Sequence, residues 1–380
     1  MRTESSHAFS NLRPKLPTSP QKRDIRIDLL KTIGIFCIIF AHTSSEADVF
    51  YQVRNFDVSL MVISSGILFS YSTQDKPFSF WKYLKIRVPR LIAPVWAFII
   101  FYFASAYPIS LLSHQPYPFS IKDFWEGLFL IGGSSYFWII RVFLLVAILS
   151  PFLVKLQKYL KHNSYFSLAL LFMYIAYETI HSLISIFDIN LLFVSSIFHD
   201  YISYVIPYGC LFGLGMVLAQ SNHRLLVRIL GIFLFLFVAF SIYSTYDLGY
   251  SIATQKFKYP PGLYYLSYGI FVSISLLLFV DYLLRKTLHF RKYQNFLVSP
   301  SIFISTSSLW IYLWHIFFLR YWKFLPFPVL TSKQFLIPFI GISLISIWVT
   351  YLQKKWITQV IQDTKFGQIN SDLLTTLFLK

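Results

Sequence analysis

Ten apolar runs punctuate this chain, at about residues 28–46, 57–73, 89–109, 134–155, 164–187, 199–219, 226–244, 263–284, 298–320 and 333–352. Each approaches the roughly 20 apolar residues that a helix needs to cross the hydrocarbon core of a bilayer. The pattern predicts an all-α integral membrane protein, a bundle of about ten transmembrane helices. A further stretch, 121–133, is only half apolar and ends in Gly132 and Gly133, which predicts a re-entrant or interfacial piece. No internal repeat argues for the inverted halves of a transporter.

The loops carry an alternating charge. Lys15, Lys22, Arg23 and Arg26 precede the first run, and Lys82, Lys85, Arg87 and Arg90 follow the second. Lys155, Lys158 and Lys161 follow the fourth run, and Arg224 and Arg228 the sixth. Arg285, Lys286, Arg291 and Lys292 follow the eighth; Lys354 and Lys355 follow the tenth. The intervening loops, such as 113–120 and 246–262, have few Lys or Arg and many Tyr and Pro. Basic loops face the cytoplasm, so an even number of spans with both termini cytoplasmic satisfies the pattern. Three parts follow: a cytoplasmic N-terminal tail over 1–26, a transmembrane domain over 27–353 and a cytoplasmic C-terminal tail over 354–380. The first of these is polar and basic and lacks the small-residue cleavage site of a signal peptide.

Composition agrees. Apolar residues make up 56%, the mean hydropathy is +0.60 and charged residues supply 13%, too few to cover a water-soluble domain. The 41 Phe, 26 Tyr and 9 Trp suit a surface that meets lipid and its interfaces. The net charge of +17 does not point to nucleic acid, because the cations sit in alternate loops. The two cysteines, Cys37 and Cys210, lie inside apolar runs and read as small buried hydrophobes, and no metal site is expected.

Ionisable groups inside spans cost about 2.5–3.5 kcal/mol each on insertion scales, so each calls for a partner or a task. The first span has four: Asp28, Lys31, His42 and Glu46. Asp28 and Lys31, three apart, share a face and can pair near the cytoplasm; His42 and Glu46, four apart, share one near the outer end. At 1.5 Å per residue His42 lies about 16 Å along the axis from Lys31. His315 in the ninth span, Arg141 in the fourth and Asp57 at the start of the second fall at a depth similar to His42, which predicts a polar cavity in the outer half. A histidine bonded to a neighbouring carbonyl is the plainer explanation of His42. Arg87 and Arg90, three apart before the third span, could clamp phosphates, or simply anchor the helix at the headgroups.

These residues resemble the bacterial acyltransferase-3 membrane proteins, which O-acylate surface sugars. The resemblance runs from about 24 to 352 on five motifs in family order. They are the 24–31 stretch followed by His42, the 55–66 run ending in Ser65-Gly66, Arg87-x-x-Arg90 before Leu91-Ile92-Ala93-Pro94, Tyr136-Phe137-Trp138, and 308–315 ending in His315. Two features set the chain apart from some relatives. It ends soon after the tenth run instead of continuing into a hydrolase-like domain, and it has Ile139-Ile140-Arg141 where they have an acidic motif. Both suggest the shorter subgroup acting on lipid-linked or polymeric sugars.

The resemblance implies an acyltransferase of the inner (plasma) membrane with no permanently bound cofactor. It would take an acyl group from cytoplasmic acyl-CoA, most simply acetyl-CoA, to a hydroxyl of a glycan or lipid-linked sugar, in contact with polysaccharide-synthesis machinery. Neutral imidazole suits the general base of such a transfer. His42 would serve as base or transient acyl carrier, with Glu46 orienting it and Asp57 close by. Arg141 or His315 would meet the developing oxyanion. Asp28, Lys31, Arg87 and Arg90 would form the donor site. The pantetheine arm must then reach His42 between helices, and a dry, closed packing around the first span would contradict the scheme. A transporter or flippase for a lipid-linked sugar or small anion, and a scaffold subunit of a polysaccharide synthase, are the competing expectations.

Overall fold

The computed structural model describes residues 23–44, 49–73, 78–131, 136–186, 201–246, 253–287, 297–322 and 335–379. Each apolar run coincides with a helix or a helix pair: α1 (Ile25–Thr43), α2 (Val49–Val53) leading into α3 (Asp57–Thr73), α4 (Phe80–Leu112), α6 (Trp138–Leu160), α7 (Asn163–Ile186), α8 (Ser203–Leu218), α9 (His223–Tyr246), α10 (Leu263–Thr287), the pair α11 (Ser299–Thr306) and α12 (Ser308–Tyr321), and α13 (Leu336–Asp363). The half-apolar stretch is a short helix, α5 (Ile121–Phe129), started by a reciprocal capping box between Ser120 and Asp123.

Among the described residues, seven helices are long and apolar enough to cross a membrane by themselves. The expected ten differ for three physical reasons. Helix α1 carries three charged residues, Arg26, Asp28 and Lys31, α8 has only 16 residues, and the ninth run is broken into α11 and α12 with a 75° bend. The N-terminal tail expected over 1–26 lies almost wholly outside the described residues, as do Glu46, Gly132, Gly133, Arg291 and Lys292. At the other end, residues 354–363 continue α13, and the chain then folds back through α14 (Lys365–Ile369) and α15 (Ser371–Leu374). There Trp310 Nε1 donates to the Leu377 carbonyl at 3.0 Å and the Phe378 ring stacks on Trp310. The end of the expected C-terminal tail is thus part of the packed bundle.

The centre is built from α1, α3, α8 and α10, whose facing residues Ile35, Leu60, Tyr208, Met216, Tyr265 and Ile274 are buried. Helices α4, α7, α9 and α13 lie outside them and present large apolar side chains outward, such as Ile100, Phe172, Phe235 and Leu344. Many hydroxyls inside the spans bond back to their own helix, as in Thr32 to Asp28 O at 2.8 Å and Ser273 to Gly269 O at 2.6 Å, which satisfies those groups without water.

A close approach of two helices explains Gly66. A Cβ on Gly66 would lie 2.1 Å from the Phe212 carbonyl oxygen, and one on Gly215 would lie 2.3 Å from that of Ile63. Two glycines let the α3 and α8 backbones touch, the small-residue packing common where lipid supplies no hydrophobic drive. Gly66→Ala and Gly215→Ala must each push the backbones apart, at a cost of roughly 1–3 kcal/mol. Both variants should melt earlier than wild type in detergent, and Gly231→Ala, with nothing within 4 Å of its added Cβ, should not.

Candidate functional site

Helix α1 lies beside both halves of the broken pair, its N-terminal part against α11 and its C-terminal end against α12. Lys31 Nζ donates to the Ser305 carbonyl at 2.9 Å, Thr32 Oγ1 to Ser301 O at 3.2 Å, and ten residues beyond Ser305 the His315 ring meets His42. The break supplies the first of these bonds. Where α11 ends, carbonyls are left without amide partners, and a buried ammonium satisfies one of them at the negative end of the helix.

Each end of α1 borders a cavity. The one at its N-terminal end is about 820 Å³ and is lined by Arg23, Arg26, Lys31 and Arg285 together with Asp24, Asp28 and Asp281. The expected Asp28–Lys31 pair is not made: Asp28 accepts from Arg23 at 2.6 and 2.7 Å, because Lys31 reaches across to the broken helix instead. Arg26 bridges Asp24 at 2.7 Å and Asp281 at 3.1 Å. Arg87 is near enough to Lys31 to act on it electrostatically but does not line the cavity, and neither does Arg90.

The second cavity, about 210 Å³, lies at the C-terminal end of α1. His42 is half-buried on its wall, and His315 is wholly buried behind it. The rings are nearly coplanar, 7° apart, with Nδ1 of His42 2.8 Å from Nε2 of His315. The acceptors in reach of His315 Nδ1 are the carbonyls of Ile311 and Tyr312, one turn back, although neither meets hydrogen-bond geometry. A proton on Nδ1 of His315 leaves its Nε2 as acceptor, so the His42 Nδ1–H donates to it. The His42 Nε2 lone pair then faces the cavity. The Tyr136 ring meets His42 edge-on at 4.9 Å, and the Tyr312 hydroxyl donates to the Tyr136 carbonyl. His42 is therefore a fixed ring with one free basic nitrogen.

Asp57 faces the same cavity. Its carboxylate accepts from Arg54 Nη1 at 2.8 Å, from the Val58 amide at 2.7 Å and from Lys258 Nζ at 3.3 Å. Burial pushes the Lys258 ammonium down to about 8; Asp57 opposes the shift and Arg54 adds to it, so the group is still protonated at neutral pH. The 3-10 turn Thr254–Phe257 that carries this loop is pinned by Asn55 Nδ2 donating to Thr254 Oγ1 at 2.8 Å. Tyr51, Tyr136, Trp138, Tyr259 and Tyr312 supply aromatic walls.

Of the outer-half residues expected to converge, His42, His315 and Asp57 do so. Arg141 does not line the cavity; it is buried between the rings of Tyr201 and Tyr204 at 5.8 and 5.5 Å, with Nε and Nη1 unpartnered. Glu46 lies outside the described residues. Sequence reasoning missed Arg54 and Lys258. Arg54 had a signal, a cation three residues before Asp57; Lys258, 201 residues away, had none.

The cavities are separate. No residue lines both, and between Lys31 and Ile38 helix α1 presents Gly34 and Ile35, buried against α3, where Met61 fills the space over Gly34. Six residues of helix, about 10 Å, divide them.

A family model described as an acyltransferase domain (acyltransferase-3) matches residues 24–353. No curated protein and no solved structure matches the chain.

The ring geometry has a chemical readout. Diethyl pyrocarbonate acylates accessible, unprotonated imidazole nitrogen, so the purified protein at pH 7 should be modified at His42 and spared at His315. Mass spectrometry of the peptides checks this, and equal labelling of the two would contradict the arrangement.

Proposed function

The chain belongs to the acyltransferase-3 family and is a multi-pass membrane acyltransferase, and from that premise we propose that it transfers an acyl group, acetyl in the first instance, from cytoplasmic acyl-CoA to a sugar hydroxyl. The acceptor is a cell-surface polysaccharide or its lipid-linked precursor, and the membrane is the inner (plasma) membrane. The observation that carries this reading is the pair of cavities at opposite ends of α1, basic at one end and aromatic with a free imidazole nitrogen at the other. Ten crossings with both termini in the cytoplasm accord with it, since α1 and α11–α12 then both start on the cytoplasmic side.

The donor's phosphates go to the basic cavity, where guanidinium groups suit phosphate oxygens. Arg23, Arg26 and Arg285 are held there by carboxylates that the phosphates would replace. Lys31 sits deepest on α1, at the point where the donor's arm must enter the bundle. In the aromatic cavity Nε2 of His42 takes the proton of the attacking hydroxyl as its oxygen adds to the thioester carbonyl. The C–S bond then breaks, and the same proton passes to the departing thiolate. The products are an ester and free thiol, and His42 is neutral again. His315 keeps the accepting nitrogen pointed at the reaction by holding the other.

The layer of Gly34, Ile35 and Met61 is closed, so transfer requires this seam to part. Met61 suits that task, being unbranched and flexible. The dry packing is confined to about 10 Å of helix.

Two predictions test the scheme. In a His42→Ala strain matched for protein level, one ester should vanish from the surface polysaccharide while the polymer itself persists. An unchanged ester profile removes His42 from the chemistry, and loss of the polymer from the surface favours transport instead. Gly34→Leu drives a side chain into Met61, whose atoms lie 2.8 Å from even a Cβ there. It should abolish transfer in proteoliposomes yet leave acyl-CoA binding within a factor of two or so, since the basic cavity is untouched; equal loss of both would put the path elsewhere.

A further inference from the structure

The aromatic cavity holds more positive charge than its own carboxylate balances. Arg54, Asp57 and Lys258 are 5%, 2% and 3% exposed, and both cations bond the single carboxylate. With His42 neutral, the described lining residues carry one net positive charge. Joining the α2–α3 corner to the 254–258 turn would need only one of these cations. The Arg54 guanidinium commits Nη1 to Asp57 and rests on the Tyr51 ring at 4.0 Å, while its Nε has no partner. A buried, unmatched cation is costly and calls for an anion. Glu46 and Asp48 lie in the 45–48 stretch, outside the described residues.

Size restricts the occupant. At about 210 Å³ the cavity is smaller than the roughly 300–1,000 Å³ of pockets for drug-sized ligands. It has the scale of one sugar ring beside a small acyl group, and Trp138, Tyr136 and Tyr259 can cover the apolar faces of such a ring.

We propose that the acceptor is an anionic sugar, whose carboxylate or phosphate is received by Arg54 and Lys258 while His42 faces one of its hydroxyls. This rests on the acyl-transfer reading above for the role of the cavity, and it adds the charge of the substrate. A guanidinium and an ammonium on neighbouring positions match an oxyanion in both charge and hydrogen bonding. A neutral sugar leaves the extra charge unmet, which is the situation in which a polar site discriminates most strongly.

Binding can be read without turnover, so the test stands apart from the ester assay. The purified full-length chain in detergent is titrated with glucuronate, glucose 1-phosphate and glucose, followed by intrinsic fluorescence or melting temperature. At least one anionic sugar should bind tenfold or more tighter than glucose. Preference for glucuronate assigns the oxyanion to the sugar ring; preference for glucose 1-phosphate assigns it to the linkage of a lipid-carried sugar. Lys258→Gln and Arg54→Gln each leave one neutral ion pair, and each should reduce the preference tenfold or more with glucose binding unchanged. Asp57→Asn, which removes the counter-charge, should increase it. The opposite sign for Asp57→Asn separates charge from misfolding, which would weaken binding in every variant. Absence of any preference in the wild type, binding by neither anion, or a preference indifferent to all three substitutions overturns the proposal.

Discussion

The architecture of this protein turns on a helix that is broken in the middle of a membrane bundle. An interrupted span leaves backbone carbonyls without partners in a medium that has no water to offer, so the break needs a donor from elsewhere. Lys31 provides it at Ser305, and the same neighbouring helix carries His42 to His315 ten residues further on. This packing therefore sets the depth of Lys31 in the basic cavity and of His42 in the aromatic one. The packing of α1 against α11–α12 converts a spacing along the chain into a distance across the membrane.

The rest of the bundle serves that seam. Helix α3 lies against α8 through paired glycines, which brings the Asp57 end of α3 beside the C-terminal end of α1. The 254–258 turn is pinned at this end through Thr254 and delivers Lys258 to Asp57. Helices with little burial, α9 above all, complete the apolar girdle. The two cavities share α1 as a wall and are kept apart by an apolar layer one or two turns thick. On the proposed reaction such a layer would keep water from the donor thioester until the seam opens, and its opening would gate the transfer.

Charge is distributed with the same logic. At the basic end, carboxylates occupy the arginines and hold the walls of the cavity together. At the aromatic end, among the described residues, a single carboxylate serves two cations, which is the imbalance the proposed anionic acceptor would meet.

Much of this was legible in the residues. The period and length of the apolar runs led to the helices, because a bilayer admits few alternatives to a helix of that length. His42, Asp57 and His315 stood out because a polar side chain is expensive in lipid, and the alternation of basic loops put them at one depth. Other features depended on the tertiary structure. Asp28 was bound to pair with some cation, but whether with Lys31 or Arg23 depended on the break at Ser305, which lies 274 residues from Lys31. Arg141 matched the depth of the cavity but faces Tyr201 and Tyr204, since depth specifies a plane and not a direction around the helix. Lys258 sits in a loop without periodicity, where only the fold could bring it to Asp57. Hydrophobic patterning along the chain determines what must leave water and how deep it goes; which buried polar groups then meet is a matter of packing, decided between residues far apart in sequence.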